Sequence, residues 1–90
     1  MRFEWEPRKA AENLANHGVS FEEAATVFRD VLSATGADPD HSFDGERFVT
    51  FGISTGGRLL AIAHTDRDDI IRIISARPAT PSERKIYEEG

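Results

Sequence analysis

The chain has 90 residues, 39% hydrophobic and 30% charged, with six Phe, one Trp, one Tyr and no Cys. That is one domain with enough apolar content for a single core, which excludes a disordered chain, a disulfide framework, thiolate metal sites and cysteine nucleophiles. Sixteen acids against eleven Lys and Arg give a net charge of −5, which argues against a general polyanion binder, yet residues 58–90 hold six of each sign, so one face can be locally basic.

Arg2-Phe3-Glu4-Trp5 alternates polar and apolar residues, the period of a short strand. Glu6-Pro7 reads as a helix start, and Gly18 as the left-handed residue that ends the helix after about His17. Ser20-Phe21-Glu22-Glu23 has the spacing of a capping box, with Val19 and Ala24 as its hydrophobic staple. Phe21, Ala24, Ala25, Phe28 and Val31 then follow 3-4 spacing, which predicts a second helix over 20–31.

A weak strand signal at Leu32 to Ala34 precedes a stretch of turn residues over 36–46. Phe48 to Ile53, the turn Thr55-Gly56-Gly57 and Arg58 to Thr65 predict a hairpin. A second turn over Asp66 to Asp69 leads to a strand from Ile70 to Ala76. Its isoleucines fall on both parities, as in a central strand with a helix layer on at least one side. Arg72 and Arg77 stand on opposite parities of this strand by simple alternation. Thr80-Pro81-Ser82-Glu83 is a second capping box and opens a helix through about Glu89. The order predicts an α+β domain, two N-terminal helices packed on an antiparallel β-sheet with a C-terminal helix.

The longest apolar run, residues 59–63, is far below the ~20 residues of a membrane span. The acidic N-terminus lacks the apolar region of a signal peptide, so the expected setting is the cytoplasm, with no membrane contact. Asp38, Asp40, His41 and Asp44 in one loop, and His64, Asp66 and Asp68 in another, match no metal-site spacing; the reading is no metal and no cofactor. Gly56-Gly57 is a hairpin turn, and no nucleophile elbow is present.

The last third is richer. Arg67, Arg72, Arg77, Arg84 and Lys85 gather there, with His64, Glu83 and Tyr87 close by. Guanidinium groups suit phosphate oxygens and stabilise charge on a phosphoryl centre. His17, His64, Glu83 and Tyr87 are chemically capable of the proton transfers that RNA cleavage needs. Plainer roles compete. Arg72 can pair with an acid of a neighbouring helix, and Arg84 and Lys85 can be a solvated face. Glu83 can serve only its cap, His17 the C-terminus of its helix, and His64 the strand.

Residues 3–30 (FEWEPRKAAENLANHGVSFEEAATVFRD) resemble the opening of the BrnT family of bacterial type II toxins. Residues 70–88 (IIRIISARPATPSERKIYE) resemble its close, and 48–65 (FVTFGISTGGRLLAIAHT) fit its middle. The resemblance implies a RelE-like fold and a metal-independent endoribonuclease that inhibits translation. It also implies a BrnA-type ribbon-helix-helix antitoxin as partner, with operator DNA contacted only through that antitoxin. Carried over by motif, the catalytic candidates are His17, Arg67, Arg77 and Glu83, and the substrate-binding ones Lys9, Arg72, Arg84 and Tyr87. Arg67 and Arg77 would hold phosphate, with His17 or Glu83 as base.

The sequence departs from the family pattern at Glu6, where Asp is expected, at His64, where Tyr is usual, and at Asp68-Asp69 beside Arg67. A catalytically degenerate homologue, acting only as an antitoxin-binding module and co-repressor, is the alternative reading.

Overall fold

Local chemistry sets the helix ends in the computed structural model, which describes residues 1–38 and 47–90. Helix α1, Pro7–His17, stops at Gly18, whose φ of 69° lets its N–H reach the Leu14 carbonyl. Helix α3, Pro81–Glu89, opens on a complete capping box in which the Thr80 hydroxyl accepts from the Glu83 N–H and the Glu83 carboxylate from the Thr80 N–H.

The second start is only half a box. Ser20 accepts from the Glu23 N–H, but the Glu23 carboxylate turns away to the Ser54 hydroxyl and the Arg58 guanidinium. Helix α2 is also shorter than its periodicity predicts. It covers Phe21–Thr26 and tightens into a 3₁₀ turn at Val27–Arg29. The Thr26 hydroxyl bonds the Glu23 carbonyl and accepts from the Thr55 N–H, while Asp30 accepts from the Leu32 and Ile53 N–H groups. These bonds draw the chain onto the sheet, and Val31, expected on the buried stripe, is 95% exposed.

The strands are β1 Arg2–Glu4, β2 Ala34–Ala37, β3 Arg47–Ile53, β4 Leu59–Arg67 and β5 Ile70–Pro78, in the spatial order β1-β5-β4-β3-β2. The α+β class stands, with two differences inside the sheet. Strand β1 runs parallel to β5, because α1, α2 and the β2–β4 meander intervene before β5 pairs beside it. Strands β4 and β5 continue to a two-residue turn, Asp68-Asp69, in which Asp68 adopts φ 56°. The turn-rich stretch lies outside the described residues from 39 to 46, and Asp40, His41 and Asp44 with it.

A bulge decides which side chains share a face. Ala63 faces Ser75 and His64 faces Ile73, so Ile74 is the extra residue on β5. Up to the bulge Ile71 and Ile73 point to the core; beyond it Ala76 does. Arg72, Ser75 and Arg77 therefore share the opposite face, which corrects the simple alternation for Arg72 and Arg77.

The core lies between the sheet and α1, α2 and the 3₁₀ turn. Val19, Phe21, Ala24, Val27, Leu60, Ile62 and Ile73 form it, with Phe3, Trp5 and Phe28 at its margin. Gly52 is needed where Val27 crosses β3, since a Cβ there would lie 2.7 Å from Val27 Cγ1. Asn13 clips α1 to β5: its Nδ2 donates to the Val19 and Ala76 carbonyls, and its Oδ1 accepts from the Ala76 N–H. Among the described residues no helix is long and apolar enough to cross a membrane.

Candidate active site

With the core on one side, the other face of the sheet is open, and α3 packs against β3 along part of it. Register places Arg47, Val49 and Phe51 of β3, Ala61, Ala63, Thr65 and Arg67 of β4, and Arg72, Ser75 and Arg77 of β5 on this face. The small residues Ala61, Ala63 and Ser75 form the floor of a shallow trough beside Arg77. A hollow of about 350 Å³ adjoins it, where Arg77 and Glu83 meet Val49, Phe51 and Ile86.

Arg77 and Glu83 form a two-bond fork, Nη1 to Oε1 at 2.6 Å and Nη2 to Oε2 at 2.7 Å. The Arg77 bonds, helped by the Thr80 N–H, hold the Glu83 carboxyl at about 2 against burial, and the Arg77 guanidinium is pushed up in return. A carboxylate so stabilised is a weak proton acceptor. Its effect is to fix the plane of the guanidinium.

Arg72 pairs with Glu4 of β1, Nη1 to Oε1 at 3.0 Å, where the sequence pointed to an acid on a helix. Arg67 lines a second hollow, of about 240 Å³, with Glu4, Thr65, Asp66, Ile70 and Arg72. Among the described residues neither Arg67 nor Arg47 has an ion-pair partner. The structure thus brings Arg67, Arg72, Arg77 and Glu83 to one face.

The remaining candidates lie elsewhere. Lys9 and His17 line a hollow with Asn13, Asn16 and Ile74 on the α1 side, with the sheet between them and Arg77. His17 occupies the last turn of α1. Arg84 faces Glu88 one turn along α3 at 3.8 Å, both side chains exposed. The Tyr87 hydroxyl donates to Asp30 Oδ2 at 2.6 Å; the Ile53 N–H and then this hydroxyl lower the Asp30 carboxyl, and Asp30 in turn raises the phenol. This bond ties α3 to the turn before β2.

His64 is buried on the core side. Its Nδ1 meets Asp66 Oδ1 at 2.6 Å and its Nε2 meets Thr50 Oγ1 at 2.7 Å, between the rings of Phe28 and Phe48. Sequence reading passed over Arg47, Thr65 and Ser75. The alternation of Arg47 with Val49 and Phe51 was the available signal for the first.

A family model described as "Ribonuclease toxin, BrnT, of type II toxin-antitoxin system" matches residues 5–83. The chain belongs to the BrnT family. The crystal structure of the Brucella abortus ribonuclease toxin BrnT superposes with a TM-score of 0.70 at 19% identity, covering 89% of this chain and 97% of that one. At that identity the match speaks to the fold, and the BrnT fold is what the strand order and helix placement reproduce. A search of curated protein sequences finds no match. As a BrnT-family member the chain is a toxin of a type II toxin–antitoxin system, a family of ribonucleases, and such a toxin has an antitoxin partner.

Proposed function

We propose that this toxin cleaves RNA on the open face of the sheet, without a metal, and thereby inhibits translation in the cytoplasm. In this reading the ribose 2′-oxygen attacks the adjacent phosphorus and the bond to the 5′-oxygen breaks. The 2′-hydroxyl proton ends on the leaving oxygen, and a 2′,3′-cyclic phosphate remains. Arg77 holds the non-bridging oxygens as charge builds on them, and Arg67 and Arg72, farther along the same face, contact the RNA backbone beside the reacting phosphate. Glu83 orients Arg77 and takes no proton. Lys9 and His17, on the far side of the sheet, stand outside the reacting centre; Tyr87 anchors α3, and Arg84 extends the cationic rim.

The observation that carries this reading is the β5 bulge, which sets Arg72 and Arg77 on the face that also presents Arg67. Guanidinium groups supply there the positive charge that phosphoryl chemistry requires. The partner is a BrnA-type ribbon-helix-helix antitoxin, and operator DNA is contacted only through it.

One observation favours the non-catalytic alternative: Arg77 and Arg72 already hold carboxylates, Glu83 and Glu4. Expression of the chain alone in a bacterial host separates the two. The ribonuclease reading predicts growth arrest with new RNA fragments, both abolished by Arg77→Ala in a protein that still folds. Normal growth with intact RNA and folded wild-type protein overturns it in favour of an antitoxin-binding co-repressor.

A further inference from the structure

Arg47 is anomalous in its surroundings. Its side chain is half-buried, and its Nε is fully buried with no hydrogen-bond partner among the described residues. Enclosing a cationic N–H donor without an acceptor is costly, so a half-buried guanidinium kept at that cost stands out on this face. Register puts the residue in a row across the open face. Arg47 on β3 faces Thr65 on β4, which faces Arg72 on β5, which faces Glu4 on β1. Arg67 is the diagonal neighbour of Arg47, at about 7–8 Å between backbones. Thr65 therefore offers a hydroxyl at the centre of three arginines, two of them without ion-pair partners among the described residues.

The row of Arg77 is a different one. Arg77 faces Ala61, four residues from Thr65 along β4, which is about 13 Å at the ordinary strand rise of ~3.3 Å per residue. One phosphate cannot touch both rows.

We propose that Arg47, with Thr65 and Arg67, forms a second phosphate-binding subsite that holds the RNA backbone away from the phosphate at Arg77. This rests on the ribonuclease reading and extends it, because Arg47 then acts on binding of longer RNA and leaves chemistry at Arg77 unchanged. A dinucleoside monophosphate, with one phosphate, gains nothing from the subsite. An octanucleotide spans both rows.

The test uses the full chain and mixed-sequence 2′-O-methyl octanucleotides, which bind without being cleaved. Arg47→Gln is expected to weaken their binding about tenfold, the loss of one charge-assisted contact. The slope of log affinity against log salt should fall by about one. Arg47→Lys keeps the charge without the Nε donor and should fall between the two. Arg29→Gln, an equal loss of charge at an exposed position of the 3₁₀ turn, should match the wild type. In cleavage assays Arg47→Gln should raise KM for an octaribonucleotide at unchanged kcat and leave dinucleoside monophosphates unaffected. Folded Arg47→Gln and Arg47→Lys proteins that bind as tightly as a wild type that does bind overturn the subsite alone. A wild type that binds no octanucleotide even at low salt overturns the ribonuclease reading and the subsite with it.

Discussion

Asn13 shows how much one side chain can carry. Its amide satisfies the Ala76 N–H and two carbonyls in a buried position, on a part of β5 that β1 does not reach. Asn13→Ala strands those groups and is expected to cost about 2–4 kcal/mol, read from urea unfolding. The Glu83–Arg77 fork makes a pH prediction. The folded carboxyl sits at about 2, below its usual value, so its contribution is present above about 4.3 and is lost as pH falls toward 2. Half-exposed Arg77 is screened by water, so the effect is on the order of 1 kcal/mol. Thermal unfolding followed from pH 7 to pH 2 should show a shallower acid loss in Glu83→Gln than in the wild type. The residue roles read from the sequence divide along the same line. Arg67, Arg72 and Arg77 were legible as candidates for phosphate by chemistry alone, and the structure gathers them on one face. That Glu83 is held as an anion, and that the sheet separates His17 from the arginines, follows from contacts that spacing does not encode.

At the scale of elements, what was legible is what is local. The α1 stop at Gly18 and the α3 box at Thr80 and Glu83 depend on neighbours within four residues, and both stand as read. Glu23 leaves its box because Arg58, 35 residues away, binds it more strongly. The β5 bulge and the parallel pairing of β1 are likewise products of distant partners. The shortened α2 has the same origin, since Val27 must seat against Gly52. Gly52→Ala places a methyl group against Val27 and should cost about 1–3 kcal/mol of stability, measured by denaturant midpoint at constant slope. Tyr87→Phe removes the tie from α3 to Asp30, and hydrogen exchange should then quicken along α3 while β4 and β5 keep their protection.

For the whole molecule, the acidic balance and the arginine-bearing face belong to different tasks. Residues 1–57 hold ten acids and five bases, whereas 58–90 are balanced. An acidic surface of this kind can receive basic antitoxin segments and steer their approach. Association with the antitoxin should therefore slow as salt rises from about 0.05 to 0.5 M, with screening shortening the reach of these charges. A rate indifferent to salt contradicts that role.

The central claim is that the open face cleaves RNA with arginine and without a metal. Incubation of the purified toxin with RNA in EDTA, with the new ends identified, tests it most directly. The account predicts cleavage that persists in EDTA, leaves 2′,3′-cyclic phosphate, and falls by about 100-fold or more in Arg77→Ala, as expected for lost transition-state charge stabilisation. Cleavage that EDTA abolishes, or that Arg77→Ala leaves intact, contradicts it.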